Sequence, residues 1–141
     1  MNVKIADIMA KRVITAARHS TVAHVRSMME RNRINAVPVT DSEKMPIGII
    51  TSTDLSRRRL KDETPISRIM TKEVKTIPAY NDASAAARAM RRGKIHHLIV
   101  THEKQVAGII STFDLLKLVE DHRFAMKGAP AHKNKSRKSQ R

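Results

Sequence analysis

The stretch "GIITSTDL", Gly48–Leu55, returns as "GIISTFDL", Gly108–Leu115, 60 residues later in a chain of 141. In each copy a hydroxyl stands three residues before a carboxylate: Thr51 before Asp54, Ser111 before Asp114. The likeness extends in both directions. "ADIMAKRVIT" (Ala6–Thr15) pairs with "SRIMTKEVKT" (Ser67–Thr76), and "MMERNRINAVPV" (Met28–Val39) with "AMRRGKIHHLIV" (Ala89–Val100), both at an offset of 61. One residue is lost where TDSEKMPIG becomes THEKQVAG, which accounts for the offset of 60 further on. The correspondence spans nearly all of residues 5–121, so the chain is a duplication.

Both copies predict the same elements in the same order. A helical turn (Ile5–Ala10; Ile66–Thr71) precedes a short β-branched strand (Val13–Thr15; Val74–Ile77). Ser20 or Thr21 then caps a helix whose apolar face is Val22, Val25, Met28 and Met29; Asn81 or Asp82 does so for Ala83, Ala86, Ala87 and Met90. Two apolar strands joined by a polar turn follow, Ala36–Thr40 with Ile47–Thr51 and His97–Thr101 with Val106–Ser111. A last helix begins near Thr53 or Thr112. The fold class is α/β (α+β), two β-α-β-β-α units. Each has only about 60 residues and needs the other to cover its sheet, so a pseudo-twofold pair with a cleft is expected. The division is 1–61, 62–122 and a tail, 123–141.

Composition narrows the function. There is no cysteine, so disulfides and thiolate metal sites are excluded. No stretch approaches the roughly 20 apolar residues of a membrane span, and no apolar leader opens the chain; a cytoplasmic protein with no membrane contact is the expectation. Lys and Arg number 28 against 13 acidic residues. Seven of the cations fall between Arg123 and Arg141 with no acid among them. That tail has Gly, Pro and Ser but no periodicity, and disorder is expected of it. The remaining 21 cations against 13 acids keep the body positive, and both parts favour anionic partners. No nucleophile–base pair, metal-ligand spacing, P-loop or dinucleotide fingerprint appears, which argues against an enzyme.

Two units that each close on Gly-apolar-apolar-Thr/Ser-x-x-Asp resemble a tandem cystathionine-β-synthase (CBS) domain pair, or Bateman module. The resemblance covers about residues 5–121. It implies a regulatory module binding an adenosine-containing ligand (AMP, ADP, ATP or S-adenosylmethionine), with no catalytic cofactor or metal. Asp54 and Asp114 would hold the ribose, helped by Thr51 and Ser111. His96 and His97 would meet phosphates, where copy one has Asn35 and Ala36. Apolar strand residues would form the adenine slot: Ile14, Val37 and Pro38 in copy one, Ile77, Leu98 and Ile99 in copy two.

The same residues admit a simpler role, because Thr51-x-x-Asp54 and Ser111-x-x-Asp114 also fit helix capping boxes. A carboxylate at a strand end can do both, since it has lone pairs for amides and for vicinal hydroxyls. Such modules pair into flat discs, so a homodimer is expected, with Ile8, Met9, Ile69 and Met70 as its seam if they are exposed. An effector protein is a further expected partner. The competing reading is a nucleic-acid-binding protein that uses the basic tail and the positive body. The tail lacks aromatics interleaved for base stacking.

Overall fold

The computed structural model describes residues 2–57 and 59–121; the tail expected to be disordered lies outside the described residues. Elements run α1 (Ile5–Ile8), β1 (Ala16–Ala17), α2 (Val22–Asn32), β2 (Ala36–Thr40), β3 (Pro46–Thr51) and α3 (Ser52–Ser56). A 3-10 turn at Ile66–Arg68 leads into β4 (Thr76–Pro78), α4 (Ala83–Gly93), β5 (His97–His102), β6 (Gln105–Ser111) and α5 (Thr112–Glu120). Two three-stranded sheets result, β1-β2-β3 and β4-β5-β6. In each, the first strand pairs parallel and the third antiparallel to the middle one.

The first strand is displaced from its expected place. Val13–Thr15 is the most β-prone stretch, yet the ladder forms at Ala16↔Val39 and Ala17↔Thr40. Tertiary pairing overrides propensity here, and Ile14 packs into the core from outside the sheet. The cap of α2 is Thr21, whose hydroxyl accepts from His24 N at 3.1 Å. Asp82 stands at the corresponding position of α4 without capping it. Its carboxylate takes Lys4 Nζ at 2.8 Å, and Val3 O accepts the Ala83 amide at 2.7 Å.

Alternation along the strands sorts the side chains. Val37, Val39 and Ile50 face one helical layer; Leu98, Val100 and Ile110 face the other. Pro38 and Ile99 are fully buried on the reverse faces. The two hairpins are tied at their turns, where Val106 N donates to Lys44 O at 3.0 Å and Gln105 Nε2 to Glu43 O at 3.0 Å.

Each core takes its lead segment from the other repeat. Ile5 and Ile8 are buried with Ile77, Met90 and Ile110, whereas Ile66, Ile69 and Met70 pack with Val25, Val37 and Ile50. Backbone bridges fix the exchange, Ala10↔Ile109 and Ile49↔Thr71. Close approach explains both glycines of the repeated phrase. A Cβ on Gly48 would sit 2.6 Å from Met70 Sδ and 3.1 Å from Thr71 O. On Gly108 it would meet Ala10 O and Met9 Sδ, each at 2.8 Å. The expected dimer seam is therefore corrected: Ile8 is buried, and Met9, Ile69 and Met70 pack against the cores. Among the described residues, the large apolar side chains left exposed are Tyr80, Phe113, Leu116 and Val119.

Candidate functional site

Both carboxylates close capping boxes. Asp54 Oδ2 accepts from Thr51 N at 2.9 Å while Thr51 Oγ1 accepts from Asp54 N at 3.3 Å. In the second copy Asp114 Oδ2 accepts from Ser111 N at 2.9 Å, and Ser111 Oγ accepts from Asp114 N at 3.1 Å. Capping uses one oxygen of each carboxylate. The other oxygen differs between copies. Asp54 Oδ1 has no partner among the described residues, whereas Asp114 Oδ1 lies 3.7 Å from Lys117 Nζ. Lys117 also donates to Ile8 O at 3.3 Å, so the lead segment of repeat one reaches the second box. Arg57 stands at the matching place in the first copy, exposed and beyond the end of α3. Helix α3 stops at Ser56, and Arg59 is exposed.

The amide after each box is tied to the residue before the middle strand. Ser52 N donates to Asn35 O at 2.9 Å and Thr112 N to His96 O at 3.0 Å. In register, Ala36 lies opposite Thr51 and His97 opposite Ser111. The fold thus brings His96, His97, Ser111 and Asp114 together. It then joins the two repeats, because His97 Nε2 lies 3.1 Å from Asn35 Oδ1. His96 is exposed and His97 half-buried. Burial pushes the His97 imidazole below the usual histidine range; His96 adds to the shift and Asp114 opposes it.

Of the residues expected to form an adenine slot, Val37, Pro38 and Ile99 are fully buried, and Ile77 and Leu98 are nearly so. Packing alone accounts for their apolar character. Ile14 is half-buried against the first core. Leu98 also forms the floor of an open cleft of about 580 Å³ with Val74, Lys75, Thr76, Ala89, Arg92 and Ile95. Lys75 and Arg92 escaped the sequence reading; the signal was a Lys at the position that Ile14 occupies in repeat one. A second groove, of about 440 Å³, lies between α2 and α3 beside Arg26, Met29 and Leu55.

The fold and paired boxes define a tandem module, and the CBS domain profile matches residues 5–61 and 66–121. The chain belongs to the CBS domain family, whose paired domains are regulatory modules. It is 34% identical over 116 residues to inosine-5'-monophosphate dehydrogenase of Methanocaldococcus jannaschii, covering 81% of this chain and 23% of that enzyme. It is 30% identical over 123 residues to homoserine O-acetyltransferase of Methanosalsum zhilinae, covering 86% of this chain and 25% of that protein. The chain thus spans about a quarter of each. Among solved structures, the CBS domain pair of protein MJ0100, in complex with 5'-methylthioadenosine and S-adenosylmethionine, superposes with a TM-score of 0.80 at 25% identity. That match covers 86% of this chain and 99% of the other. No helix among the described residues is long and apolar enough to cross a membrane.

Proposed function

We propose that this chain is a regulatory sensor of an adenosine-containing ligand. The supporting observation is the junction of the two capping boxes across Asn35 and His97, which sets a carboxylate, a hydroxyl and imidazoles along one seam. Asp54 offers its unused oxygen to the ribose, with Thr51 beside it; on the other side Asp114, whose Oδ1 also faces Lys117 Nζ at 3.7 Å, acts with Ser111. The known ligands of the MJ0100 domain pair support the ligand class. The units of duplication are 1–61 and 62–122, and the 123–141 tail adds charge. The module works without catalysis, in the cytoplasm, and passes its state to an effector protein.

The test is titration calorimetry of the full chain with AMP, ATP and S-adenosylmethionine. Asp54→Asn and Asp114→Asn retain an oxygen for capping and remove the charge. A ribose role predicts weaker binding by about 1.5–3 kcal/mol per lost charged hydrogen bond, with the melting temperature nearly kept. Unchanged affinity in both variants sinks the assignment.

A polyanion remains the second reading, favoured by one observation. Arg88, Arg91, Arg92 and Lys94 are all exposed around the end of α4 and have no carboxylate partner among the described residues. Oligonucleotide affinity that falls steeply with salt and drops on removing residues 123–141 would support it.

A further inference from the structure

The two capping boxes differ in what faces the oxygen that capping leaves over. Asp114 Oδ2 is taken up by Ser111, through N at 2.9 Å and Oγ at 3.1 Å. Its Oδ1 faces Lys117 Nζ at 3.7 Å, and the carboxylate is only 16% exposed against 51% for the lysine. The ammonium therefore stands in front of the one oxygen that capping leaves to a ligand. Repeat one has no such cover. Asp54 Oδ1 has no partner among the described residues, and α3 ends at Ser56, one residue short of the place of Lys117.

Lys117 has a second contact, because its Nζ donates to Ile8 O at 3.3 Å. Helix α1 has only four residues, Ile5–Ile8, so its last carbonyls find no partner within the helix. Lys117 supplies one to Ile8, whose side chain is buried in the second core. The lead segment is held from either side of this point. Ile5 N donates to Asn81 O at 2.9 Å, and Ala10 N to Ile109 O at 3.0 Å. One lysine thus ties the carboxylate assigned to the ribose to the segment that completes the second core.

We infer that Lys117 is a latch worked by the ligand: a ribose bonded to Asp114 displaces the ammonium, frees Ile8 O and loosens residues 2–10. This rests on the adenosyl reading above and gives it an output, the segment by which repeat one covers the second core. Hydroxyls that donate to Oδ1 take the space in front of it. The half-exposed ammonium gives up little on turning to water, since such surface pairs are weak. Ile8 O then loses its donor, and the end of the lead segment opens more often.

Hydrogen exchange of the full chain, read at the Met9 and Ala10 amides, tests it. The probes are AMP and S-adenosylmethionine, each saturating by calorimetry. Both amides are hydrogen-bonded, Met9 N to Ile5 O and Ala10 N to Ile109 O. A ligand that only stabilises the fold slows exchange throughout. The expected result is exchange faster by about threefold at these two amides, the scale of a half-exposed charged contact. Met70 and Thr71, in the matching segment of the first core, should not speed up. Lys117→Met should show the faster rates without ligand and gain nothing more with it. Asp114→Asn, which removes the charge facing Lys117, should show them too, and it decides if Lys117→Met fails to fold. Rates at Met9 and Ala10 that hold or fall while a probe binds overturn the latch and leave the adenosyl reading standing. Parent-like rates in either ligand-free variant overturn it too. If neither probe binds the parent chain, both readings fail.

Discussion

Asn35 and His97 meet at 3.1 Å although they are not equivalent positions of the repeat. Asn35 matches His96, and Ala36 matches His97. This contact between the halves therefore breaks their pseudo-symmetry. With its proton on Nε2, neutral His97 donates to Asn35 Oδ1.

Protonation of His97 should destabilise the fold. Its native pKa lies below the ordinary value of about 6.5, so the unfolded chain takes up the proton first as pH falls. The stability it contributes is complete above the ordinary value and is lost on acidification down to the lowered native value. His97→Gln keeps a donor for Asn35 and removes the titration. Denaturant unfolding of parent and variant from pH 7.5 to 5 should show the difference narrowing as pH drops; parallel curves would refute it.

Gly108→Ala should cost more than Gly48→Ala, each within about 1–3 kcal/mol. At Gly108 the new methyl meets a backbone oxygen, Ala10 O, at 2.8 Å, whereas at Gly48 the nearest atom is Met70 Sδ on a flexible side chain. Chemical denaturation gives the order directly.

Helices α2 and α4 both end on a residue with left-handed backbone, Arg33 at φ 54° and Lys94 at φ 53°. Neither is glycine. Arg33→Gly and Lys94→Gly should each stabilise the fold by about 0.5–1 kcal/mol, because relief of the side-chain clash outweighs the added freedom of the unfolded chain. A lower melting temperature in both would count against this.

Phe113, Leu116 and Val119 are more than half exposed and recur every three residues along α5. Their matches in repeat one are Thr53, Ser56 and Arg59, so the stripe belongs to repeat two alone. A homodimer through it predicts that Phe113→Glu with Leu116→Glu yields monomer with the fold intact. Sedimentation equilibrium should show the change; a parent already monomeric at tens of micromolar removes the basis for it.

Much of the fold was legible because the duplication repeats its punctuation. The strands Ala36–Thr40 and Ile47–Thr51 fall within a residue of where alternation puts them, and both hydroxyl–carboxylate pairs form the boxes their spacing implies. The first strand was misplaced because Val13–Thr15 has the propensity but not the partner. The exchange of lead segments leaves no local trace, since Ile5, Ile8, Ile66 and Ile69 read as apolar helical residues whichever core receives them. Likewise, Lys75 becomes informative only once Ile14 is seen to fill the space it leaves open.

Because Ile66–Thr71 covers the first core, residues 11–71 form one uninterrupted unit. The second unit runs from 72 to 121 and is completed by residues 2–10, which act as a plug delivered from the opposite end of the chain. That plug lies against α5, where Lys117 Nζ donates to Ile8 O. A circular permutant running 72–121, a short linker and then 2–71 would keep every contact between the units while making the second contiguous with its plug.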